Sequence, residues 1–176
     1  MTHSTKLPDA MPEIDKPTLL IVADAHHCRF IDVGGHTLLE KETMDSKELL
    51  HTDRQDVQPS PASMGKGGMM SGVGEEHHAE ENRLRDFAKM LNEHTSVVIA
   101  EQKIEAVYLA APSRFLSEIK KNMPAAVTKV LKSTIDGNFV KEPAIEILLR
   151  FRPDLEESVQ KLRDLENYSS KKHLPK

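Results

Sequence analysis

The chain has one cysteine, Cys28, no tryptophan, and aromatic residues at only 4% of its 176 positions. A lone thiol excludes an internal disulfide framework and fits a reducing compartment. With so few aromatic rings, the core must be assembled from Leu, Ile, Val, Ala and Met, within an apolar share of 38%. So lean a core would gain from a stabilising partner. No run approaches the ~18 apolar residues of a membrane span, and Met1 to Asp15 lacks the ~7–15-residue apolar stretch of a signal peptide. The expected location is cytoplasmic. A strong charge imbalance is missing too: 24 basic against 28 acidic residues leave a net charge of −4, which does not draw the whole molecule to nucleic acid.

What the total lacks, one stretch supplies. Between Arg114 and Lys141 the bases Arg114, Lys120, Lys121, Lys129, Lys132 and Lys141 face only two acids, Glu118 and Asp136. Such a stretch reads either as a solvated helix face or as a phosphate-binding surface. The second reading requires the lysines to share one surface within about a Debye length, ~8 Å at physiological salt.

Length points to one domain. The first sixteen residues show no apolar periodicity and read as a disordered tail, with a single domain over 17–168 and a flexible C-terminus over 169–176. Leu19-Leu20-Ile21-Val22-Ala23 is a short, continuous, branched run, as in a strand covered on both faces. Cys28 to Val33 and His36 to Glu42 make two further strands around a Gly34-Gly35 turn, an antiparallel meander. A short helical turn fits Ser46 to His51.

A long glycine-rich loop follows, Thr52 to Gly74, with two prolines, five glycines and three methionines. Loops beyond ~12–15 residues are usually functional or disordered. After it, Leu84, Phe87, Ala88, Leu91, Thr95 and Val98 recur at helical spacing, behind a Glu-rich start that suits a helix dipole. Ile104 to Ala111 reads as a buried strand ended by Pro112-Ser113, and Phe115, Leu116 and Ile119 mark the next helix. Val127 to Ile135 reads equally as helix or strand. Ala144 to Phe151 is helical, and Leu155, Val159, Leu162 and Leu165 trace a last amphipathic helix.

Several site patterns can be weighed on chemistry. Gly65-Lys66-Gly67 lacks the following Ser or Thr and the earlier glycine of a phosphate loop, and Met70 stands where a dinucleotide fingerprint needs its third glycine. His77, His78, Glu80 and Glu81 form one candidate metal cluster, and Asp24, His26 and His27 another. Adjacent histidines diverge by about 100° on a helix, so only one of His77 and His78 joins Glu81 on a shared face, too few ligands without help from elsewhere, and no metal or cofactor is assigned. Cys28, inside a strand, reads as an inert thiol. Ser113 and Arg114 follow a strand, where α/β proteins often hold ligands. The simpler reading makes Ser113 a helix cap and Arg114 a surface residue.

The order of landmarks resembles the host-attachment protein family: Leu20 to Ala25, the glycine-rich Met64 to Gly74, the His- and Glu-rich Glu75 to Glu81, and Ala111-Pro112-Ser113-Arg114-Phe115-Leu116. It is also similar to the middle domain of archaeal and eukaryotic peptide release factors. There a Gly-Gly-Gln loop precedes a long charged helix and an apolar strand. Here the loop reads Gly65-Lys66-Gly67-Gly68-Met69-Met70-Ser71. The resemblance implies a ribonuclease H-like α/β fold, a mixed sheet of about five strands flanked by helices, in a bacterial protein.

In release factors the glutamine after the paired glycines helps place the attacking water. Gly67 and Gly68 keep the close approach, but Met69 cannot donate a hydrogen bond from its side chain. Loss of such a donor can cost ~10²–10³ in rate. The resemblance therefore implies a noncatalytic module that binds the ribosome or structured RNA through Lys66, Arg114, Lys120, Lys121, Lys129 and Lys132. Gly65 to Met69 would form its contact loop. Two other readings stay open: a protein-interaction factor in host attachment without RNA binding, and a hydrolase acting through the glycine loop with His77 or His78.

Overall fold

A computed structural model describes residues 3–7, 11–48, 72–158, 160–161 and 164. Among these residues there are six strands: β1 (His3–Lys6), β2 (Ile14–Ala23), β3 (His27–Gly35), β4 (Thr37–Asp45), β5 (Ala106–Ala111) and β6 (Leu131–Asp136). They form one sheet in the order β1-β4-β3-β2-β5-β6. The helices are α1 (Gly72–Gln102), α2 (Ser113–Lys121), α3 (Ala125–Val130) and α4 (Ala144–Phe151), with 3-10 turns at Ser46–Glu48 and Pro153–Leu155. The fold is a mixed α/β sheet with helices on both faces.

β2 lies at the centre because its alternate residues feed two separate cores. Leu19, Ile21 and Ala23 pack under α1 and α2 with Phe87, Leu91, Phe115 and Ile119. Leu20 and Val22 face the other way, onto Ile147, Leu148 and Leu155. A strand buried on both faces cannot show the polar alternation of a half-exposed one, hence the continuous run. β2 pairs antiparallel with β3 and parallel with β5, and β5 pairs parallel with β6.

The β2-β3-β4 meander forms as the sequence suggests, with its turn one residue later than expected. Gly34 still pairs with Thr37, and Gly35, at φ 54°, carries the positive φ. α1 buries the six residues of its expected stripe, Leu84, Phe87, Ala88, Leu91, Thr95 and Val98. It starts at Gly72, inside the segment read as loop up to Gly74. At its other end Lys103 takes φ 54° and Ile104 N–H bonds the Ile99 carbonyl at 3.2 Å, a Schellman closure made without the usual glycine. The ambiguous stretch is both things: helix to Val130, strand from Leu131.

The sheet begins before Pro17, where the sequence reads as tail. β1 adds to the edge of β4 with Ser4 opposite Leu39, a sixth strand beyond the five expected. Leu7, Met11 and Ile14 are buried beneath the second face. Their i, i+4, i+7 spacing is a helical one, but Pro8 and Pro12 fall within it and argue against a helix, although each of the three has a place in the core. Three helices start immediately after a proline: Pro112, Pro124 and Pro143 are the caps of α2, α3 and α4. Their carbonyls accept the first helical N–H groups, and proline cannot continue a ladder into the helix.

Among the described residues no helix is long and apolar enough to cross a membrane.

Candidate functional site

Parallel β2, β5 and β6 place their carboxyl ends along one edge, where open α/β sheets commonly bind ligands. Asp24 follows β2, Ser113 and Arg114 follow β5, and Asp136 ends β6. Asp24 accepts the backbone N–H groups of His26 and His27 through Oδ1, both at 2.8 Å, and fixes the turn into β3. Partial burial would raise its carboxyl. The two N–H donors and the adjacent imidazoles outweigh that and hold it below the ordinary aspartate value. His27 also stands 3.6 Å from Asp45, and His26 Nδ1 stands 3.5 Å from Ser46 Oγ.

Ser113 does not cap α2. Pro112 holds the cap position, and the Ser113 hydroxyl bonds the Asp136 carboxylate, tying the start of α2 to the end of β6. Arg114 faces Glu80 and Glu81 of α1, each at 3.7 Å. All three are well exposed, and such pairs contribute about 0–1 kcal/mol. Arg114 thus has two carboxylate neighbours on α1. Nearby lies a shallow cleft of about 240 Å³ between Ala25-His26, Ser46-Lys47 and Glu80, Arg83 and Leu84. Sequence reasoning missed Lys47 and Arg83, since no local pattern links residues so far apart in the chain.

The lysines sort differently. Lys120, in the last turn of α2, reaches across to β6 and donates to Thr134 Oγ1 at 3.0 Å. Lys121 is paired with Glu118 on its own helix. Lys129 sits in α3 immediately before β6, and Lys132 is the extra residue where the β5–β6 register shifts between Leu131 and Ser133. Both are exposed, and among the described residues neither has a carboxylate partner. Lys120, Lys129 and Lys132 therefore occupy adjoining elements α2, α3 and β6. Arg114 lies at the opposite end of α2, a nine-residue helix of about 13 Å.

Gly65, Lys66, Gly67, Gly68 and Met69 lie outside the described residues, as do Met64, Met70 and the side chain of His77. His78 is exposed on α1. Among the described residues no three His, Cys, Asp or Glu side chains are grouped as metal ligands. Cys28 is fully buried, and its thiol is pushed well above its usual value, first by desolvation and then by the nearby Asp24 charge. That environment disfavours the thiolate a nucleophile requires.

An unforeseen arginine organises the second face. Arg29 of β3 donates Nε and Nη2 to the Glu40 carboxylate at 2.7 and 3.0 Å. Its Nη1 donates to the carbonyls of Val140 and Glu142, both at 2.8 Å. It fastens the β6–α4 connection to the sheet.

No curated protein sequence matches the chain. Among solved structures, S. cerevisiae Dom34, a translation termination-like factor involved in RNA quality control pathways and interacting with Hbs1, is similar at 10% identity with a TM-score of 0.44. The likeness takes in 91% of this chain and 42% of that one, so this chain spans less than half the length of Dom34. The family model described as "Protein required for attachment to host cells" matches residues 19–150, from the central strand to the end of α4, and the chain belongs to that family.

Proposed function

We propose that the protein is a noncatalytic module that binds structured RNA, ribosomal RNA foremost, through the surface of Lys120, Lys129 and Lys132. The observation that supports this reading is the reach of Lys120 over β6 to Thr134, beside two lysines without carboxylate partners among the described residues. Ammonium groups on adjoining elements can neutralise successive phosphates and release their counterions, which ties affinity to salt. Arg114 and Lys121 are left with smaller roles, because each already faces a carboxylate. This activity calls for a cytoplasmic location. Met69 in place of the release-factor glutamine favours binding over hydrolysis.

Sedimentation with ribosomes tests the proposal directly. Association in low salt that weakens steeply as salt is raised supports it, and no association in low salt overturns it. The family description favours a second reading, in which the chain contacts another protein during host attachment and binds no RNA. A wild-type protein that never pellets with ribosomes, together with unchanged attachment in a Lys120/Lys129/Lys132 charge-reversal variant, would point there.

A further inference from the structure

We draw no further inference here: the strongest candidate, the shallow cleft between Ala25-His26, Ser46-Lys47 and the Glu80, Arg83 and Leu84 stretch of α1, sets the exposed Lys47 and Arg83 beside Glu80 with no buried, unpartnered side chain among its described residues to select a ligand, and nothing in the structure shows what covers it.

Discussion

The two ends of α2 carry similar formal charge and opposite electrostatic circumstances. At its start Arg114 stands between Glu80 and Glu81, and Ser113 is tied to Asp136. At its end Lys120 extends over β6, with Lys129 and Lys132 nearby on elements that offer no acid to them among the described residues. One continuous basic stretch of sequence is thereby divided between bases that meet a carboxylate, Arg114 and Lys121, and bases that do not among the described residues, Lys120, Lys129 and Lys132. Local charge counts cannot see this, because Glu80 and Glu81 come from a helix more than thirty residues earlier.

The comparison can be broken most completely through the ring between the two ends. Phe115 is buried and stacks on Phe87, with centroids 5.4 Å apart and an interplanar angle of 5°. Phe115→Ala should cost about 3–5 kcal/mol in urea unfolding and loosen both ends together. A loss below about 1 kcal/mol would show that α2 is not held by this contact.

A smaller and more selective effect separates the ends. The triple replacement Lys120→Glu, Lys129→Glu and Lys132→Glu should weaken ribosome association at least tenfold, about 1.4 kcal/mol or more, and flatten the salt dependence by roughly two to three phosphate contacts. Urea stability should hardly change, since all three side chains are exposed. Unaltered pelleting by this variant would remove the lysines from the interface.

At the Arg114 end, Asp24 supplies a pH signature. Its folded-state value is lowered, so its stabilising contribution is complete above the unfolded value near 3.8 and is lost as pH falls through the lower folded value. Wild type should therefore exceed Asp24→Asn in stability by a constant margin above about pH 5, and the margin should shrink below about pH 4. Thermal unfolding of both proteins across that range measures it. A margin that grows as the solution is acidified would refute the assignment.

The smallest effect is expected at Arg114, whose ion pairs are exposed. Arg114→Ala should change stability by under about 0.5 kcal/mol and ribosome pelleting by less than twofold. A loss as large as that of the triple lysine variant would erase the distinction between the two ends of the helix.

Much of the fold was legible in the residues themselves. The run from Leu19 to Ala23 announced a strand covered on both faces, and the stripe from Leu84 to Val98 announced α1. In each case burial imposes a short-range period. β1 was not legible, because His3–Lys6 has no apolar face of its own and is a strand only through its hydrogen bonds to β4. The end of α1 was hidden as well, since Lys103 adopts a conformation usually left to glycine.

Sequence alone determined the strongly periodic elements, β2 and α1 above all, the central position of β2, the absence of a disulfide framework and the clustering of bases between Arg114 and Lys141. Those properties depend on neighbours a few residues apart. Tertiary structure decided which bases meet acids, that Ser113 reaches Asp136 instead of capping its helix, that Arg29 fastens Val140 and Glu142, and that Asn92 reaches the Ile119 carbonyl. Each of these pairs residues distant in the chain, and a through-space contact acquires its energy only when folding has brought both partners together and removed the water between them.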